Sequence, residues 1–231
     1  MTTDSARALL RRLGQFLDGF SACFSRQLQR DAASQYIDGL FSDSERKSIQ
    51  AMHGRLGDPG DYQALQHFIT HSPWDATRVG TQLRATVPVR TGILALDDTG
   101  FPKQGTQSPG VQRQYCGTLG KIGNCQVAVS SALIADGRTW PLAFDLYVPT
   151  SWIEDTDRCA AAGIPATVLF REKWRIALAQ VRTVLQAGFT ITVWVPEFLA
   201  PVFRKLWHRD HPEGWRDRVS SVLCGLTVRR A

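Results

Sequence analysis

No apolar run in this chain approaches the ~18 residues that a membrane-spanning helix requires, so no membrane partner is expected. Cysteine is sparse and scattered. Five stand at positions 23, 116, 125, 159 and 224, an odd number without a close pair. That argues against a disulfide framework or a zinc knuckle, and the five read as free thiols. The GxxxxGK[ST] phosphate loop is missing, which excludes a P-loop nucleotide site. No Ser-His-Asp or Cys-His set assembles into a recognisable nucleophile. His208 and His211 have i,i+3 spacing, but neither cysteine nor an acidic cluster completes a zinc site there. The opening MTTDSARALLRRLGQFLDGF has no apolar core with a cleavage site. No signal peptide is therefore expected, and a cytoplasmic location is the default. Internal repeats, heptads and low-complexity tracts are also lacking.

What remains is the composition of a soluble globular protein. The chain has 231 residues, 43% hydrophobic and 21% charged, enough for one large domain or a domain with a helical extension. Its formal net charge of +6 permits an acidic partner such as nucleic acid without demanding one. The excess grows along the chain, from +1 over residues 1–84 to +2 over 85–190 and +3 over 191–231.

Residues 1–84 read as a helical region. Ala8, Leu9, Leu13, Phe16, Leu17 and Phe20 mark one amphipathic face. Phe16, Phe20, Tyr62 and Phe68 read as core. Ser42 and Glu45 have capping-box spacing before a short helix at 44–53. Further helices are expected at 61–70 and from Ser72 and Pro73 through Leu83. The texture changes at Pro88. Residues 92–96, 123–134, 140–148 and 189–195 read as four strands, with Asp136-Gly137 as a hairpin turn. Residues 171–187 form the clearest helix, with Trp174, Ala177, Leu178, Val181, Val184 and Leu185 in one stripe and Gly188 ending it. Strand, hairpin strand, hairpin strand, helix, strand suggests an α/β core with a mixed sheet over 85–195. LAPVFRKLW reads as a further helix. Residues 196–231 lose sustained periodicity and read as a divergent basic tail.

The chemistry concentrates in ILALDDTGFPKQGTQSPGVQRQYCG, residues 93–117. An apolar strand runs into Asp97 and Asp98. A strand holds a carboxylate rigidly enough to meet a hard cation such as magnesium, which takes oxygen ligands and keeps some of its waters. Adjacent strand residues face opposite ways, so one of the two would be the principal ligand. The same pair could instead cap a turn and bridge to nearby bases. Lys103, Arg113 and Lys121 sit among Gly100, Gly105, Gly110, Gly117 and Gly120 in an expected long loop, where glycine permits close approach and the cations could neutralise phosphate. Asn124 and Gln126 could order that loop. Asp155 and Asp157, near Trp152 and Arg158, read as a surface salt-bridging spot.

Three blocks carry a family resemblance: DDTGFPKQG, then SPGVQRQYCGTLGKIGNCQVAV, then WPLAFDLYVPTSW. In this order they resemble the DDE transposases of bacterial insertion sequences, specifically the IS701-like group, over most of residues 20–190. The resemblance implies a ribonuclease H-like mixed-sheet core behind an all-helical N-terminal region. It further implies magnesium (manganese as an alternative) held by three acids, and cleavage and strand transfer at transposon ends. Double-stranded DNA would be the partner, with a second copy or a full-length transposase beside it, in the cytoplasm at the nucleoid. The first acid would be Asp98, the acid immediately before the threonine, with Asp97 as fallback. Lys103, Arg113 and Lys121 would contact the DNA backbone. The second acid is expected near 193–197, where the chain reads VWVPE without an aspartate, and Glu197 is a displaced substitute at best. Glu213 stands in a Pro-Gly-Trp-Arg context unsuited to the third. The core is thus expected to be incomplete, a truncated or frameshifted copy with most of its acid set missing.

Overall fold

The computed structural model describes residues 3–45, 47–56, 60–196 and 219–225. Two compact units divide the chain, Met1–Leu83 and Arg84–Ala231.

The first unit is helical: α1 Thr3–Asp18, α2 Gln27–Phe41, α3 Ile49–His53, α4 Tyr62–Thr70 and most of α5 Ala76–Thr86. Phe68 packs on Ala32 and Ala33, with Phe24 against them. Phe20 is buried, but Phe16 is 45% exposed and Tyr62 only half-buried, so the expected aromatic core is smaller than the pattern suggested. The cap of the third helix also moves. Ser48 Oγ accepts from the Ala51 amide, whereas Ser42 ends α2 and donates to the Gly39 carbonyl. A serine can satisfy either helix end, so spacing to Glu45 alone did not decide which.

The second unit is a mixed α/β structure around a six-stranded sheet. Its strands are β1 Thr91–Pro102, β2 Gln112–Cys116, β3 Lys121–Ala135, β4 Arg138–Tyr147, β5 Thr190–Pro196 and β6 Val219–Gly225. Their order is β2-β3-β1-β5-β6, with β4 also on β3. β1 pairs antiparallel with β3 and parallel with β5, which pairs parallel with β6. Three helices link β4 to β5: α6 Thr150–Ile153, α7 Thr156–Ala161 and α8 Lys173–Gln186. Asp136 (φ 51°) and Gly137 (φ 70°) turn β3 into β4 in the paired left-handed geometry that such a two-residue hairpin needs. The core forms where Leu94 and Leu96 of β1, with Val129 and Leu133 of β3, meet Ile176, Ala177, Val181, Val184 and Leu185 of α8.

Six strands replace the four expected. The expected long glycine-rich loop is shortened to residues 103–111: β1 continues through Asp97 and Asp98 to Pro102, and β2 with β3 forms a hairpin. Backbone pairing overrides local glycine content here, because Gly100 lies where a side chain could not. A Cβ there would fall 2.6 Å from Cys116 Sγ. β6 lies in the tail that showed no period, and its parallel pairing with β5 comes from distant backbone rather than local pattern. The helix expected over LAPVFRKLW, and Glu197, His208, His211 and Glu213, lie outside the described residues.

Candidate active site

Strand alternation separates the two aspartates. Leu94, Leu96, Asp98 and Gly100 share the face of β1 that meets α8, whereas Asp97 shares the opposite face with Ile93 and Ala95. The parallel pairing of β1 with β5 ends at Ala95 opposite Trp194, while the antiparallel pairing with β3 continues, placing Asp98 opposite Val129. Asp98 is therefore gripped by a ladder on one side just beyond the last rung of the other. Neither aspartate caps a turn.

Asp98 does bridge to a base, as the alternative reading of the pair expected, although the sequence pattern did not reveal which one. Lys173, the first residue of α8, places Nζ 2.7 Å from Asp98 Oδ2, and the two side chains are 30% and 28% exposed. Nζ also stands 5.4 Å from the centre of the Tyr147 ring. Nearby, the Cys125 thiol is pushed up to about 11, first by burial and then by its hydrogen bond with Cys116. The charges of Lys173 and Asp98 act on it in opposite directions. Such a thiol stays protonated near neutrality and is neither a nucleophile nor a ready metal ligand.

Asp97 differs. Its residue surface is exposed, yet its carboxyl pKa is raised, first because its surroundings desolvate it. The Asp98 amide, donating to Asp97 Oδ1 at 2.8 Å, opposes the rise, and the charge of Asp98 adds to it.

One further acid falls in the row of Asp98. Val129 of β3 lies opposite Asp98 on one side and Asp145 of β4 on the other. Two strand spacings put Asp145 roughly 10 Å from Asp98 by backbone. Gln180 of α8, almost fully buried, engages it: Nε2 donates to Asp145 Oδ2 at 2.7 Å and to the Val129 carbonyl at 2.8 Å. Asp145 also supports the charge of Arg84, whose pKa burial lowers. Among the described residues no group of three or more His, Cys, Asp and Glu side chains is placed to hold a metal ion. A divalent ion taken up at Asp98 would find this one carboxylate as its acidic protein ligand among the described residues. The ammonium already resting on Asp98 Oδ2 marks that oxygen as a cation position.

The three expected DNA-contacting cations do not gather around Asp98. All three are exposed. Lys121 lies eight residues before Val129 on β3, roughly 26 Å along the strand. Arg113 lies opposite Asn124, on the other face of the sheet from Lys121. Lys103 follows the end of β1, where its amide bonds to the Asn124 carbonyl. The loop they flank is held as the polar residues suggested. Asn124 Nδ2 donates to the carbonyls of Lys103 and Gly105, and Gln126 Nε2 to that of Pro109. Asp155 caps α7 through the Arg158 amide and makes no ion pair among the described residues. Arg158 instead stacks 3.7 Å over Trp152. Among the described residues, no helix is long and apolar enough to cross a membrane.

Comparison with known proteins shows the family. The family described as "DDE superfamily endonuclease" matches residues 19–196. A probable transposase for insertion sequence element IS701 from Microchaete diplosiphon is 32% identical over 165 residues. That match takes in 70% of this chain and 40% of the relative. β1 with both aspartates, the β2–β3 hairpin, β4 and α8 all lie inside the matched family region. The chain belongs to the DDE superfamily endonuclease family.

Proposed function

We propose that this chain derives its function from DNA transposition, with Asp98 as the first metal-holding acid of a ribonuclease H-like core. The observation that carries the reading is the position of Asp98. It lies in the matched region, on the central antiparallel-then-parallel strand, facing the helix layer beside an ammonium. The order β3-β1-β5-β6, with hairpins before β4 and a helical crossover after it, supports that fold. When bound, magnesium would polarise a phosphodiester and help activate water or a 3′ hydroxyl at a transposon end. Asp98 is the residue that would hold it, with manganese as the alternative ion. Lys103, Arg113 and Lys121 are exposed on the hairpin side of the sheet, where they would contact phosphate outside the reacting position.

The same geometry favours a second statement about this chain alone. The described residues bring one acid, paired with lysine, to the candidate position, and no cluster of three. One carboxylate cannot fix two ions at the spacing that paired-ion phosphoryl chemistry uses. We therefore infer that the isolated chain binds transposon-end DNA or a full-length transposase without cutting DNA itself.

The test is magnesium-dependent nicking of labelled terminal DNA from an IS701-type element by the purified chain, beside Asp98→Ala. End-specific, salt-sensitive binding without nicking is the expected result. Nicking that disappears in Asp98→Ala would support the metal role of Asp98 and overturn the non-catalytic reading. No binding to end DNA or to full-length transposase would remove both.

A further inference from the structure

Lys173 is a poor residue for the start of a helix. The N-terminal turn carries partial positive charge and favours acids, so an ammonium on the first residue of a 14-residue helix is locally unfavourable. Glu172 just before it pairs with Arg175 at 3.0 Å rather than with Lys173. The compensation for Lys173 is tertiary: Asp98 Oδ2 at 2.7 Å, 75 residues earlier in the chain, with the face of Tyr147 beside it. Local rules broken in favour of one distant carboxylate are the mark of a site rather than of a helix.

We propose that Lys173 is a tethered counter-ion for Asp98, resting on its carboxylate so that a divalent ion gains Asp98 only in competition with that ammonium. The inference rests on reading Asp98 as a metal ligand and adds the residue that governs access to it. The ammonium engages Oδ2, and a dication approaching either oxygen of the same carboxylate meets its repulsion within a few ångströms. Lysine suits exchange better than arginine would. Its charge is a point on a flexible four-carbon stem, without the two-pronged hold of a guanidinium on a carboxylate. The Tyr147 ring gives the released ammonium a second resting place. Partial exposure of both side chains leaves the ion a route from solvent.

Manganese binding to the full chain, followed by the electron paramagnetic resonance signal of the free ion, tests this without any DNA reaction. Lys173→Met should bind manganese at least about tenfold more tightly than wild type, the scale of one charge-assisted contact removed from competition. Lys173→Arg should bind no more tightly than wild type. Adding Asp98→Asn to Lys173→Met should cancel the gain. Lys173→Gln provides the same comparison should the Met variant fail to fold by circular dichroism. Equal or weaker binding by the charge-removed variants overturns the proposal, as does a gain that survives Asp98→Asn. Wild-type binding through Asp98 that is indifferent to Lys173 would sink the counter-ion role alone and leave the metal reading standing. No binding by any variant would sink both.

Discussion

Lys173 at the head of α8 and Asp98 in the middle of β1 form an ion pair that joins helix to sheet. Both partners are roughly one-third exposed or less, so water screens part of the attraction. Replacing Lys173 by Met leaves the carboxylate partly desolvated without its donor and should cost about 1 kcal/mol. Asp98→Asn should cost a similar amount, and the double variant less than the sum of the two. Urea unfolding of the four proteins measures the coupling. Additive losses would show that the pair contributes nothing to stability.

Much of this arrangement was legible in the sequence, and the missing parts share a cause. The core strands, the Asp136-Gly137 hairpin and the helix ended by Gly188 followed from periodicity and turn chemistry, which are local. The opposite facing of Asp97 and Asp98 followed from strand alternation alone. Lys173, Gln180 and Asp145 did not, because each has its place through a contact 35 or more residues away. Lys173 left one local signal, a cation at a helix start. β2 was hidden by its glycine-rich surroundings, and β6 depends on pairing with β5 rather than on its own pattern. The three loop cations were adjacent in the text but separated by strand register.

Asp97 gives a pH signature of defined sign. Its carboxyl pKa is higher in the folded chain than in the unfolded one, so the folded state holds the proton to higher pH. The stability it supplies is complete below the unfolded pKa and is lost as pH rises through the folded value. Asp97→Asn removes this dependence while keeping an oxygen for the Asp98 amide. Relative to wild type, the variant should therefore gain stability as pH rises from the acid range toward neutral. Urea midpoints of both proteins across that range give the difference, and a difference that is flat or of opposite slope would refute the assignment.

Gly100 and Cys116 should behave as a coupled pair. A Cβ on residue 100 would meet Cys116 Sγ at 2.6 Å and its Cα at 3.2 Å, and both residues are buried. Gly100→Ala should thus destabilise the sheet unit by about 1–3 kcal/mol through overpacking. Cys116→Ala removes the nearer atom but not the Cα. Combined with Gly100→Ala, it should recover part of the loss. Full recovery would mean that the backbone at Cys116 yields freely, and no loss in Gly100→Ala would mean that the two strands are not this close.

Trp152 pins the loop that Lys103 enters. Its ring is fully buried, Nε1 donates to the Val111 carbonyl at 2.8 Å, and the Arg158 guanidinium covers it at 3.7 Å. Arg158 in turn donates to the Thr106 carbonyl at 3.0 Å, so the two side chains tie residues 106 and 111 to the start of the helical crossover. Trp152→Phe keeps most apolar contact but removes the indole donor, and should cost about 1–2 kcal/mol. Trp152→Ala also leaves a cavity and should cost about 3–5 kcal/mol. Hydrogen exchange distinguishes a local tie from a general support. In Trp152→Phe, amides of 103–111 should exchange faster while those of α8 change little. Equal acceleration in both segments would show that Trp152 supports the whole sheet unit rather than holding this loop.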